Sequence, residues 1–531
     1  MERRNKKYPP DRKLPGFWWR ENPVTALRSD ASNLPAPGLD PILDPKLLAR
    51  ALSGKLLIDG ALVPALSGKT FPVVNPANGE TVAEAALGEA DDVNRAAEAA
   101  HKAQKLWAAR PARERGKLVA ACGQKLQEHV EELGRLVALE TGKALRTESR
   151  VEASVLADVF TFFGGLAPEM KGETVPFNPD MLTVTVHEPL GVVGAIIPWN
   201  VPMMLMALKI APALVAGNTV VVKSAEEAPL AVLRACQIMA SVLPAGTLNI
   251  LSGFGPECGA PLVAHPVVKK VTFTGSVETG KIVARAAADK LIPVTLELGG
   301  KSPMIVCADA DLDRAVAGAI AGVRFTRQGQ SCTAASRIYV HADLHDAFIA
   351  KLTEKVNAMK MGDPLDEATD IGTIISKDQF EKVKNYVAIG EAEGGTALRC
   401  AQMPTDPAFA KGLFAQPVVF TGLPAHSRVL REEIFGPVTC IQSWTDFDAV
   451  IAAANDSDYG LAATIWTRDL KTALDGSRRL EAGLVQVNQN LVVQPNISYG
   501  GVKQSGMGKE ASLESMLEHF THKKTIILNM T

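Results

Sequence analysis

Four short runs of β-branched and apolar residues, Val192 to Ile197, Thr219 to Val222, Thr247 to Leu251 and Val271 to Thr274, begin 24 to 28 residues apart with helical segments between them. Strand, helix and strand at that spacing require a crossover connection, so the strands run parallel and the crossovers are right-handed. A second αβ series runs from Ile305 to about Asn488, with strands at Arg337 to His341, Val438 to Gln442, Ala462 to Trp466 and Gly483 to Val487. Two α/β domains are the expectation. Ligands of such sheets sit outside the carboxyl ends of the strands, so the residues just after each run are the first candidates for chemistry.

The flanking segments read differently. Asp91 to about Arg150 is Ala-rich, with an apolar face through Leu118, Cys122, Leu126, Val130, Leu133 and Val137, a helical period. Gly172 to Glu188 alternates Leu182, Val184 and Val186 with Thr and charged residues, which predicts a strand with one exposed face in a separate small sheet. Residues 1–50 hold eight of the 33 prolines, and the first twenty hold seven Lys or Arg against two acids. That composition matches neither a secretory nor an organellar import signal. It reads as an extension in which Trp18 and Trp19 anchor on another surface, or as an arm without a function of its own.

Composition excludes several classes. A net charge of −2 over 531 residues is no basic coat for nucleic acid. The longest uncharged apolar stretch, Gly191 to Leu208, is interrupted by Pro198, Asn200 and Pro202, so no integral membrane segment is expected. Seven cysteines without a CxxC pair read as free thiols in a reducing, cytoplasmic compartment. His341 with His345 and His519 with His522 have no third ligand nearby, and no metal site is expected.

Four places carry chemistry. Gly275 to Gly280, followed by Lys281, ends a strand and opens a helix, where backbone amides meet a diphosphate. Ile282 stands where a P-loop needs Ser or Thr, which weakens a nucleotide-hydrolysing reading. Cys332 follows Gly329-Gln-Ser, and its polar neighbours set it apart from the other six cysteines. Glu297 lies between two leucines before Gly299-Gly300; buried, it is a base with a raised pKa, and exposed, a strand-end charge. Asn200, held between Pro198 and Pro202, is either a fixed amide donor or a turn residue.

Taken in order, Ile197-Pro-Trp-Asn200, Val222-Lys223-Ser-Ala-Glu226, Phe273-Thr-Gly275-Ser-Val-Glu-Thr-Gly280, Leu296-Glu297-Leu-Gly-Gly300-Lys, Gly329-Gln-Ser-Cys332, Glu432-Glu433-Ile-Phe435-Gly-Pro437 and Gly500-Gly-Val-Lys-Gln-Ser505-Gly resemble the aldehyde dehydrogenase superfamily. The resemblance spans about residues 52 to 528. It implies a Rossmann-like cofactor domain over 52–169 and 190–299, a catalytic domain over 300–500, and oligomerisation strands in 170–189 and 513–531, with 1–51 as an extension.

The activity implied is oxidation of an aldehyde, through a Cys332 thiohemiacetal and thioester, to the acid. Asn200 holds the oxyanion and Glu297 activates water. The implied cofactor contacts are Ile196, Pro198, Trp199, Lys223, Glu226, Gly275, Ser276, Glu433 and Phe435. Glu226 favours NAD over NADP, because a carboxylate at the ribose repels a 2′-phosphate. Ser224 departs from the pattern, Pro being common after that Lys. Tunnel positions that are aromatic in many relatives are Val201, Leu208, Thr326 and Val493 here, which implies a wide aliphatic tunnel for a bulky or long apolar aldehyde, with no charged pocket. A homodimer or homotetramer follows by analogy. The rivals are a CoA-acylating enzyme of the same fold, disfavoured by Glu297, and a catalytically silent scaffold, disfavoured by the joint presence of Cys332, Glu297 and Asn200.

Overall fold

The computed structural model describes residues 43–490 and 495–531. The arm with Trp18 and Trp19, and the tunnel position Val493, lie outside the described residues. Five strands pair in parallel in the spatial order Leu248–Leu251, Thr219–Lys223, Val192–Ile196, Val268–Thr274 and Val294–Glu297. The chain winds outward from Val192–Ile196 in one direction, then crosses to its other side. That reversal opens a crevice at the strands' carboxyl ends. Antiparallel strands finish the sheet: Leu56–Ile58 with Ala61–Val63 at one edge and Gly506–Met507 at the other.

Among the four runs the largest boundary shift has a physical reason. The fourth strand begins at Val268 rather than Val271, because Lys270 is buried and its ammonium bonds the Thr295 hydroxyl. The fifth strand includes Glu297, whose carbonyl accepts from the Gly275 amide at 3.1 Å. The acid is therefore part of the sheet rather than of the loop after it.

The second series forms a seven-stranded sheet in the order Thr396–Arg399, Val418–Thr421, Val438–Trp444, Arg337–His341, Pro303–Val306, Ala462–Trp466 and Leu484–Val487, with only the first of these antiparallel to its neighbour. The helical stretch after Asp91 is broken at Pro111 and again at Glu128 and His129, giving Ala90–Ala108, Ala112–Gln127 and Val130–Thr141. Cys122, Leu126, Leu133 and Val137 are buried in the core. No helix among the described residues is long and apolar enough to cross a membrane.

Met181–Pro189 pairs antiparallel with Thr521–Asn529 in a two-stranded sheet of its own. Its faces are the reverse of simple patterning. Thr183 and Thr185 are buried, whereas Leu182, Ile526, Ile527 and Leu528 are exposed.

The helix Pro202–Val215 packs beneath the crevice, and Lys209 is the one charged residue in it. Trp107, only 1% exposed, pins this helix by donating its indole N–H to the Leu214 carbonyl at 3.0 Å. Trp107→Ala removes both the ring and that bond, so it should cost about 3–5 kcal/mol. A denaturant midpoint matching that of the unsubstituted protein would contradict this placement.

Candidate active site

The carboxyl ends of the parallel strands bring the candidate residues into one crevice. Lys223 ends one strand and Ile196 its neighbour, with Pro198, Trp199 and Asn200 on the turn that follows. Gly275 and Ser276 follow the next strand, and Glu297 closes the last. At the strand spacing of a sheet these four ends cover roughly 14 Å. Lys223 Nζ lies 3.1 Å from Glu226 Oε2, and the acid is the more exposed of the two. Ser276 caps the helix Val277–Asp289, its Oγ accepting from the Thr279 amide at 3.2 Å, and it faces solvent at a helix N-terminus suited to an anion.

Residues after Pro303 meet that crevice from the second sheet. Glu433 Oε1 accepts from the Gly300 amide at 2.9 Å. A side chain at Gly300 would collide with the Cys332 carbonyl, so that glycine is required by close approach, and one at Gly299 would displace the Glu433 carboxylate. Trp199 and Phe435 meet edge to face with centroids 5.2 Å apart. Phe435 has a left-handed backbone, φ +58°, steadied by Gln379, whose amide donates to the Ile434 and Phe435 carbonyls at 2.9 Å each.

Cys332 sits on the loop before the strand Arg337–His341. Six of the seven cysteines are buried and it alone is partly exposed. Its Sγ is 3.7 Å from the Tyr499 hydroxyl, and it shares a cavity with Asn200. Asn200 Nδ2 donates to the Gln330 carbonyl at 3.1 Å, two residues before the thiol. Burial pushes the Cys332 thiol up to about 11, against the help of the Tyr499 hydrogen bond and the nearby Arg327 guanidinium.

Glu297 is 3% exposed, and neither carboxylate oxygen has a well-formed hydrogen-bond partner among the described residues. Burial, and next the like charge of Glu510, hold it well above the usual carboxylate range. The Lys209 and Lys509 ammoniums act in the opposite direction. Lys209 is already committed, its Nζ lying 2.7 Å from Glu510 Oε1 in a fully buried pair.

The family model described as the aldehyde dehydrogenase family matches residues 63–526. The chain belongs to the aldehyde dehydrogenase family. It is 39% identical over 476 residues to hydroxyisobutyraldehyde dehydrogenase of Mycolicibacterium austroafricanum, covering 90% of this chain and 94% of that one. It is 42% identical over 477 residues to the mitochondrial benzaldehyde dehydrogenase of Antirrhinum majus, covering 89% and 88%. Among solved structures, the NAD+ complex of an aldehyde dehydrogenase from Bacillus cereus superposes with a TM-score of 0.88 at 37% identity, over 91% of this chain and 98% of that one.

Several residues of this aldehyde dehydrogenase escape a reading by motif. Lys143 Nζ donates to the Asn200 carbonyl at 2.9 Å and pairs with Glu152, whose Oε1 accepts from the Met203 amide at 2.8 Å. The only signal of Lys209 is a lone charge in an apolar helix. Of the tunnel positions, Val201 and Leu208 line the cavity beside Cys332, together with Met204 and Leu205. Thr326 turns away to donate its hydroxyl to Glu148. One expectation is corrected. The cavity, about 40 Å³ in volume, is lined by Arg324 and Arg327 as well as by the aliphatic residues, so it is not uncharged.

The burial of Glu297 has a measurable cost. Unfolded, the acid titrates near 4.5; folded, it titrates higher, so stability is fully present below that value and falls as pH rises through the folded pKa. Glu297→Gln lacks this loss. Its melting temperature should exceed that of the unsubstituted enzyme, by more at pH 8 than at pH 5. A difference that does not grow with pH would contradict the assignment.

Proposed function

We propose that this protein oxidises an aldehyde to its carboxylic acid with NAD, by covalent catalysis at Cys332. The observation that carries the reading is that the partly exposed Cys332 thiol shares a cavity with the Asn200 amide, and that the buried Glu297 carboxyl is near enough for its charge to act on that thiol. As thiolate, Cys332 adds to the aldehyde carbon and the carbonyl electron pair moves to oxygen. The Asn200 side chain and the Cys332 backbone amide donate to that oxyanion. When bound, NAD supplies the hydride acceptor that makes the thiohemiacetal a thioester. Glu297 takes a proton from water as the water adds to the thioester carbonyl; collapse releases the acid and restores the thiol.

The residues along the strand ends fit an extended dinucleotide. Lys223 and Glu226 would hold the adenosine ribose, Gly275 and Ser276 the diphosphate, and Glu433 and Phe435 the nicotinamide ribose, with Ile196, Pro198 and Trp199 walling the cleft. Glu226 selects NAD over NADP by like-charge repulsion. Glu227 adds less to that field, since burial and the neighbouring Glu226 push it up to about 7 and so favour its neutral form.

The substrate has an apolar body, slender enough for a cavity walled by Val201, Met204, Leu205 and Leu208. A long chain or a flat ring suits it better than a bulky one, and the names of the two relatives specify compact aldehydes. Residues 52–169 and 190–299 act as the cofactor domain and 300–500 as the catalytic domain, with 1–51 an extension. The apolar outward face of Met181–Pro189 and Thr521–Asn529 supports a homodimer or homotetramer. Seven free cysteines suit a reducing compartment, the cytoplasm.

NADH formation without CoA, with free acid as product, is the expected result for an aldehyde panel. Cys332→Ala should abolish it, and Asn200→Ala should lower kcat by about 10²–10³-fold. Turnover that requires CoA, or that survives in Cys332→Ala, would overturn the mechanism.

A further inference from the structure

The Tyr499 side chain ends on the thiol of Cys332. Its ring is buried in the apolar core, and among the described residues its hydroxyl has one partner, the Cys332 Sγ at 3.7 Å. A phenylalanine would fill the same space, so the oxygen is the atom that asks for a role. We propose that Tyr499 is a catalytic residue whose hydroxyl donates a hydrogen bond to the Cys332 sulfur and so stabilises the thiolate. The inference rests on the reading of Cys332 as the nucleophile. It adds a donor at the sulfur, apart from the Asn200 side chain and Cys332 amide assigned to the oxyanion.

The backbone fixes this side chain. Tyr499 and Glu510 form an antiparallel bridge, in which the Tyr499 amide donates to the Glu510 carbonyl at 2.9 Å and the Glu510 amide donates to the Tyr499 carbonyl at 2.7 Å. Gly500 follows, and a side chain there would meet the Glu297 carboxylate. One short segment therefore lies against both reacting groups, with the Tyr499 hydroxyl at the sulfur and the Gly500 backbone at the acid. Tyr499 also lines the cavity that holds Cys332 and Asn200.

A thiol and a phenol can bond in either direction, but a thiolate has no proton to give, so once the sulfur ionises only the phenol donates. A distance of 3.7 Å is long for such a bond, and a charged acceptor draws it in. Burial and the charges of Glu433 and Glu297 disfavour the thiolate; the Tyr499 bond opposes them more strongly than the Arg327 guanidinium does. Arg324, on the same cavity, also feels the sulfur's charge. Tyr499 keeps its own proton, because burial and the charges of Cys332, Glu297 and Glu510 hold the phenol well above its usual range. The donor serves twice. A sulfur–carbon bond forms as the thiolate attacks; when water has added to the thioester and the adduct collapses, that bond breaks, its electron pair returns to sulfur, and the phenol again faces a thiolate.

Tyr499→Phe keeps the ring and removes the donor. Losing a hydrogen bond to a charged acceptor lowers the thiolate fraction near pH 7 about tenfold, and the more basic thiolate that remains is about threefold more nucleophilic, so Cys332 should react about threefold more slowly. The rate is read in the full-length protein as iodoacetamide alkylation of the Cys332 peptide, by mass spectrometry. Replacing Tyr499 by 3-fluorotyrosine, a stronger donor of nearly the same size, should make the reaction faster than in the unsubstituted protein, and kcat/KM for benzaldehyde should follow the same order. A ring that only packs gives no rate that tracks donor strength. Thermal melts with and without NAD check that each variant folds and binds the cofactor. Equal alkylation rates in Tyr499→Phe and the unsubstituted protein overturn the proposal. So does a faster Tyr499→Phe, which would make the hydroxyl an acceptor that keeps the thiol protonated. Alkylation needs no turnover, so the two readings fail separately: the predicted order without NADH from any aldehyde supports the donor and sinks the dehydrogenase reading, whereas a Cys332 that is not alkylated sinks the nucleophile and this proposal with it.

Discussion

Glu297 is buried at the end of a sheet strand, with a like charge, Glu510, as its strongest electrostatic neighbour. A carboxyl in that position is held neutral or ionises at a cost, and the surrounding structure is arranged around that choice. The strand containing it is covered on its outer side by Gly506–Met507, and the Leu298 amide donates to the Ser505 carbonyl at 2.9 Å. Beneath it, Lys209 and Glu510 neutralise each other, and the Thr272 hydroxyl donates to Glu510 at 2.9 Å. Breaking one side of such a pair leaves a buried charge uncompensated. The acid can therefore stay poised because Lys209, the cation beneath it, is already paired with Glu510.

The same logic extends to the rest of the site. Asn200 is held at its carbonyl by Lys143 and at its side chain by Gln330, so the amide that faces the cavity is fixed from two directions. Gly299 and Gly300 let the Glu433 carboxylate and the Cys332 loop approach the end of the first sheet. The crevice is thus a junction between two sheets, closed by glycines rather than by large side chains. Left-handed backbone at Phe435, Arg324 and Gln328 clusters around it. Strain stored at a site and offset by packing elsewhere is a common compromise between stability and chemistry.

Much of this was legible in the residues. Valine-rich runs at regular spacing disclose the parallel sheet, because strands covered on both faces are nearly all apolar. Cys332 is separable from six inert thiols by its polar neighbours. Partnerships across long sequence distances were not legible. Lys143 with the Asn200 carbonyl and Lys209 with Glu510 are contacts between residues 57 and 301 positions apart, and no local pattern encodes them. The charge in the cavity was hidden for a related reason. Arg324 and Arg327 reach the pocket through a left-handed turn that no local sequence pattern announces. Lys270 concealed the start of its strand, since a lysine counts as exposed until its buried hydroxyl partner is seen.

The central claim is that one thiol becomes acylated and one carboxyl sees to its release. The most direct test quenches Glu297→Gln in acid during turnover with an aldehyde and NAD, and maps the adduct by peptide mass spectrometry. The account predicts an added acyl mass on the peptide containing Cys332 and on no other cysteine peptide. An unmodified Cys332 in a protein that still turns over, or an acyl group on Cys440 or another thiol, would contradict it.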